Sequence, residues 1–316
     1  MEIAGFVGMS HTPSWDLSFD HRGPGEQFVA AVGEARSMVR DVACDVLVVF
    51  GPDHFRNFFF DVMPSFCIGS GEVRGFGDYS SPKGPLPGHP DLGRFVASRV
   101  MENGFDPAVS LNMSVDHGVT QAYAALAADA QVRLLPIMVN CAGGPMPSLR
   151  RCHDFGRAVG EAIRAFPSAG RALVVGSGGL SHSPPSASPF DLAVAEDMRD
   201  YAVNGRNRAA EFNALREMQS IERRKLGGTG PINEEWDRWF LQTLASHDLE
   251  PVLNLSADAL LGEAGVGGQE VRAWIAAMGA WGAPVQSSTY DPTPTWITGM
   301  GCATAAAAPA TKREAS

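Results

Sequence analysis

The chain has 316 residues, a net charge of −10 and 45% hydrophobic residues, enough apolar material for one large domain or two intimate ones. Its acidic balance, with no clustered Lys/Arg tract, argues against nucleic acid as a partner, because phosphate binding needs a basic footprint; an anionic small molecule stays open, since one or two local arginines override a global field. No stretch approaches the roughly 20 apolar residues of a membrane span, the start MEIAGFVGMS lacks the regions of a signal peptide, and the five scattered cysteines form neither a disulfide framework nor a zinc set, so a soluble protein of a reducing cytoplasm is expected.

The β-branched run EIAGFVG at 2–8 is followed by a helical period over 24–42 and the apolar run CDVLVVFG at 44–51, an alternation that reads as α/β. The Gly- and Pro-rich segment 69–90, GSGEVRGFGDYSSPKGPLPGHP, is expected to be an irregular surface excursion, with a lid or wall over a site as the lesser reading. VRLLPIMVN at 132–140 and RALVVGSG at 171–178 are continuous apolar runs of the kind covered on two faces, separated by a helix over 146–166. Another helix is expected over 233–245, opening on Asn233 with acids in its first turn where the helix dipole favours them, and a last one over 269–281. There is no internal repeat, no GxGxxG after a strand and no GxxxxGK[ST], so a nucleotide cofactor has no support. The low-complexity end makes 304–316 a disordered tail behind a folded unit at 1–303.

The histidines fall at telling places. His11 follows the first strand in MSHTP, His54 the second in FGPDHF, and His182 follows RALVVGSG in GGLSHSPP. Ligands of an open α/β sheet gather beyond the carboxyl ends of its strands, so these side chains converge in space although far apart in sequence. His117, in SVDHGVTQ, follows AVSLNM and opens a helix. One loop histidine is usually an ordinary packing or surface residue; four at successive strand ends make a metal or proton-transfer candidate. His21, His89, His153 and His247 keep the ordinary reading.

SHTP, PDHFRNFFFDVMPSFCIG at 52–69, SVDHG at 114–118, GSGGLSHSPP at 176–185 and TPTWITGMG at 293–301 together resemble the class III extradiol ring-cleavage dioxygenases, the superfamily of the protocatechuate 4,5-dioxygenase catalytic subunit. The resemblance covers nearly the whole chain. It implies a single α/β domain with a central mixed or mostly parallel sheet flanked by helices, Fe2+ as cofactor, a small aromatic diol and O2 as substrates, and a homo-oligomer. The reaction implied is extradiol cleavage of a catechol with a short acidic side chain at position 3, next to that substituent. By resemblance, His11 and His54 match the imidazole ligands of iron. Glu270, in GGQEVRAWIAAMGA, matches the carboxylate ligand. His117 and His182 match the proton-transfer pair, with His182 as base and His117 as acid, an order open to reversal, and Asp116 occupies the acidic position beside His117.

Two imidazoles and one carboxylate on one face of iron leave adjacent positions open for catechol and O2. Glu234, Glu235 and Asp237 in INEEWDRWF compete for the carboxylate role, but they lie in a helix's first turn and are read as capping and solvating it. Arg56 is a candidate to hold a substrate carboxylate, though loop arginines more often face solvent. Phe58, Phe59, Phe60 and Phe66 are read chiefly as core packing, and Gly176, Gly178 and Gly179 as permitting a tight turn. Two alternatives remain: a zinc hydrolase using His11, His54 and a third histidine, and a non-catalytic relative, which the presence of all five matching positions disfavours.

Overall fold

The computed structural model describes residues 1–127, 131–184, 188–225 and 231–307. Its strands are β1 (Glu2–Met9), β2 (Val46–Gly51), β3 (Phe66–Phe76), β4 (Lys83–Leu86), β5 (Ala108–Val115), β6 (Arg133–Val139), β7 (Arg171–Ser177), β8 (Ser287–Thr293) and β9 (Thr298–Ala306). The helices are α1 (Glu26–Asp41), α2 (Pro90–Glu102), α3 (His117–Ala127), α4 (Leu149–Ala165), α5 (Glu196–Asn204), α6 (Ala209–Lys225), α7 (Glu234–Ser246), α8 (Glu250–Leu253), α9 (Ala257–Ala264) and α10 (Val271–Trp281). All strands join one mixed sheet in the order β4-β3-β6-β2-β7-β1-β9-β8, with β5 also paired to β3. The centre, β6-β2-β7-β1, is parallel; β3 and β9 flank it antiparallel. This is the single α/β unit that the resemblance implied.

Alternation along the central strands divides the core in two. Val46, Val48 and Phe50 of β2 and Ala172 and Val174 of β7 face α4 and α10. Leu47 and Val49 of β2 and Leu173 and Val175 of β7 face α1 and α3. Each such side chain, fully removed from water, contributes about 1.5–3 kcal/mol for the larger ones.

The seating of α10 matters most for function. It packs on α4 through glycines: a Cβ on Gly156 would stand 1.8 Å from Ala276 O and one on Gly279 2.1 Å from His153 O. On its sheet side, Trp274 lies over Gly8 of β1 and Gly176 of β7, where a Cβ would meet it at 2.3 and 2.6 Å. The Trp274 indole N–H also donates to Gly178 O at 2.8 Å. The start of α10 is thereby pinned to the carboxyl ends of β1 and β7.

Two expectations change. Segment 69–90 is no irregular excursion: most of it is the antiparallel hairpin β3–β4, paired from Val73↔Leu86 to Phe76↔Lys83. Its glycines serve close approach, as at Gly75, where a Cβ would fall 2.1 Å from Pro82 O. At the other end, β9 runs through Ala306, so the sheet extends past the expected boundary at 303, while residues 308–316 lie outside the described ones.

Candidate active site

His11 and His54 stand just beyond the ends of β1 and β2, His182 in the loop after β7, His117 at the start of α3 and Glu270 immediately before α10. Beyond the strand ends they meet. His11 Nε2 lies 3.4 Å from Glu270 Oε2, His54 Nε2 3.2 Å from Glu270 Oε1, and His182 Nε2 3.8 Å from the same oxygen. The His117 ring stacks on that of His54 with centroids 4.3 Å apart and packs edge-on to His11 at 5.3 Å. Gly179 N donates to Glu270 Oε2 at 2.6 Å, which fixes the carboxylate between the imidazoles.

Each of the four rings is held at Nδ1. The partners are Ser177 Oγ for His11 at 3.1 Å, Asp116 Oδ2 for His54 at 3.0 Å, Asp78 Oδ2 for His117 at 2.6 Å and Leu180 O for His182 at 2.8 Å. Carbonyl and carboxylate oxygens only accept, so His117 and His182 each hold a proton on Nδ1 and leave Nε2 facing the site, whereas His54, with Asp116 at Nδ1 and Glu270 at Nε2, faces an acceptor at both nitrogens. Burial, opposed by the Glu270 charge, pushes His11 down to about 3. Against burial, Asp116 and Glu270 hold His54 well above its ordinary value. Also against burial, the His11 charge and the hydrogen bond from His54 hold the Glu270 carboxyl below the usual carboxylate range.

Asp116 reaches a different histidine from the one expected. Its Oδ2 accepts from His54 N at 2.7 Å as well as facing His54 Nδ1, and its Oδ1 accepts from Gly118 N at 2.9 Å. The chain turns into α3 at this point, so the Asp116 side chain folds back over the helix start toward His54. The carboxylate against His117 is Asp78, from the β3–β4 loop, which the sequence reading passed over because an acid among Gly, Ser and Pro marks only a turn.

Arg56 points inward. It is buried, with Nε 3.0 Å from Asn213 Oδ1 and 3.7 Å from Asp78 Oδ2, and NH1 donating to His54 O at 2.8 Å. Helix α6 therefore supports the site from behind: Glu217 Oε1 also accepts from Tyr79 N at 2.7 Å and from Asn213 Nδ2 at 2.9 Å.

Around His182 the glycines admit close neighbours. A Cβ on Gly178 would stand 2.8 Å from Glu270 Cβ, one on Gly179 2.5 Å from His182 Cε1, and one on Gly267 2.0 Å from His182 Nε2. Glu234 and Glu235 are exposed, as capping acids should be, but Asp237 is fully buried. It accepts from Ser181 N and Oγ, both at 2.7 Å, and from Tyr290 OH at 2.8 Å, tying α7 and β8 to the residue before His182. Burial raises its pKa. Of Phe58, Phe59, Phe60 and Phe66, Phe66 stacks on Phe155 in the main core and Phe59 packs edge-on to Tyr201, while Phe58 and Phe60 are half-buried.

Residues 5–301 match the family model described as the catalytic LigB subunit of aromatic ring-opening dioxygenase. The chain belongs to this family. The dioxygenase is 39% identical over 307 residues, 92% of its length and 95% of the relative's, to a 2,3-dihydroxyphenylpropionate/2,3-dihydroxicinnamic acid 1,2-dioxygenase of Cupriavidus pinatubonensis. It is 38% identical to the like-named enzyme of a Rhodococcus species, covering 95% and 97% of the two chains, and 34% identical to that of Photorhabdus laumondii, covering 94% and 95%. It is an extradiol ring-cleavage dioxygenase.

The donor chemistry suits a metal. His11, His54 and His117 offer ring nitrogens within 4.8 Å of one another, and Glu270 adds an anionic oxygen against two of them. Imidazole with carboxylate is a set that first-row transition metals accept, and the Nδ1 partners are the outer hydrogen bonds that orient such ligands. None of the described helices is long and apolar enough to cross a membrane.

Proposed function

We propose that the dioxygenase holds Fe(II) through His11, His54 and Glu270 and opens a catechol bearing a short acidic side chain, next to that substituent, with both atoms of O2 entering the product. The observation that carries this reading is the meeting of His11 Nε2 and His54 Nε2 on one carboxylate, at 3.4 and 3.2 Å from Glu270. Iron, when bound, supplies the electronic coupling that lets triplet O2 react with a singlet aromatic ring. The protein's own groups place the substrate and move protons. His182, tied at Nδ1 to Leu180 O, presents Nε2 to take a proton from a catechol hydroxyl. His117, tied at Nδ1 to Asp78, takes up at Nε2 a proton released by the catechol and delivers it during ring opening, the Asp78 carboxylate stabilising the doubly protonated ring in between. Asp116 orients His54. The names of the curated relatives support 3-(2-carboxyethyl)catechol as the substrate type. The family likeness extends the reading to a cytoplasmic homo-oligomer, which sedimentation of the purified chain checks.

One observation favours a second reading. His11, His54 and His117 together make a three-histidine set of the kind that holds catalytic zinc with an open position. Anaerobic loading with Fe(II) or Zn(II), followed by a panel of substituted catechols in the presence of O2, separates the two. The iron form is expected to consume O2 and release a yellow ring-opened product while the zinc form leaves O2 and catechol untouched; an iron form inert to every catechol overturns the proposal.

A further inference from the structure

The geometry points to Asp78 as the residue that positions His117, fixing both its backbone and its ring; the inference rests on reading His117 as a proton carrier. One carboxylate makes both contacts: Oδ1 accepts from His117 N at 2.8 Å, and Oδ2 lies 2.6 Å from His117 Nδ1. Asp116, the neighbour in sequence, is not available for this, being engaged by His54 and Gly118.

The surroundings are built to hold Asp78 where it is. The carboxylate is fully buried, and its countercharge is the buried Arg56, 3.7 Å away and itself anchored on Asn213 and His54 O. The two residues that follow, Tyr79 and Ser80, adopt φ of 48° and 62°, left-handed conformations that non-glycine residues adopt only where neighbours over-determine them. Those neighbours are present: Tyr79 N donates to Glu217 Oε1 at 2.7 Å, and Ser81 N to Asp78 O at 2.9 Å. The strained turn also places the Tyr79 ring edge-on to His117, at 4.9 Å between centroids. His117 is thus confined between the Tyr79 ring on one side and the stacked His54 ring at 4.3 Å, with Asp78 setting its tautomer.

Asp78→Asn is close to isosteric but has one acceptor oxygen for two donors. Either His117 N loses its partner or the amide N–H faces Nδ1, which takes away the acceptor that lets the ring hold protons on both nitrogens, or turns the ring. The expected result is a fall in kcat of about 10²-fold or more, the scale of losing a positioned proton donor, with KM and iron content within about threefold of wild type. Asp78→Asn added to His117→Phe should bring no further loss, because residues acting as one unit are not additive. A kcat unchanged in Asp78→Asn, or a full additional loss in the His117→Phe background, overturns the inference. The 15N spectrum of histidine-labelled wild type, free of metal, gives a readout independent of turnover and of how well the variant folds: His117 should carry its proton on Nδ1, and a bare Nδ1 sinks the proposal. A wild type inert to every catechol would remove the dioxygenase reading while this spectrum still decides the Asp78 contact.

Discussion

His182 sits in a slot that only glycine walls allow. A methyl on Gly267 would stand 2.0 Å from its Nε2, the atom facing Glu270. Gly267→Ala should therefore displace the ring and lower turnover, while His182→Phe should lower it by about 10²-fold or more; metal analysis should find iron retained in both. Loss of iron in His182→Phe would make His182 a ligand. Glu270→Gln removes the negative charge between His11 and His54 and should abolish iron retention on gel filtration. At this scale the sequence reads unevenly. His11, His54 and His182 are visible from their place after apolar runs. Asp78 is invisible, because nothing local separates an acid in GFGDYSSP from any turn acid. Asp237 misleads, since its first-turn position is that of a solvated capping acid, whereas the packing of β8 and the GGLSH loop over α7 buries it against Ser181 and Tyr290.

Among the elements, α10 follows directly on Glu270 and depends on α4. Gly156→Val would drive a branched side chain into the Ala276 carbonyl, 1.8 Å from the position of the new Cβ. Overpacking of this kind costs about 1–3 kcal/mol; thermal melts should record a lower Tm, and iron affinity should weaken as the helix start shifts. Helix α2 offers a pH effect. His89 is its N-cap, with Nδ1 accepting from Leu92 N at 3.4 Å. Burial, then the Arg133 charge, hold its pKa below the ordinary 6.5, with Asp91 and Asp45 opposing. As pH falls through about 6.5 the unfolded chain takes up this proton before the folded one, so stability present above that pH is lost below it. His89→Asn keeps a capping acceptor that does not titrate. Urea midpoints of variant and wild type should agree near pH 8 and diverge in the variant's favour near pH 5.5; parallel midpoints at both would dismiss the effect.

For the whole molecule, the proposed ligands come from the loops just after β1 and β2 and from the residue before α10, separated by most of the chain and assembled only in the folded state. A metal that binds this set stabilises the fold by mass action, by about 2.7 kcal/mol when its free concentration is a hundred times Kd. Fe(II) added anaerobically to the metal-free chain should raise Tm in proportion to the logarithm of its concentration. Glu270→Gln should lose that rise.

By itself the sequence determined the α/β class, the central apolar strands, the histidines beyond the strand ends, and helices over 24–42, 146–166, 233–245 and 269–281, which the structure bounds at 26–41, 149–165, 234–246 and 271–281. These are legible because hydrophobic period and strand-end position are local properties of the chain. Glu270 stood on likeness to a family rather than on any pattern of its own. Only the tertiary structure decided which carboxylate serves which imidazole: Asp116 for His54, Asp78 for His117 and Glu270 between His11 and His54. Such pairings depend on how a hairpin, a helix start and two strand ends approach one another in space, and glycines at the points of contact set those distances without leaving a periodic mark in the sequence.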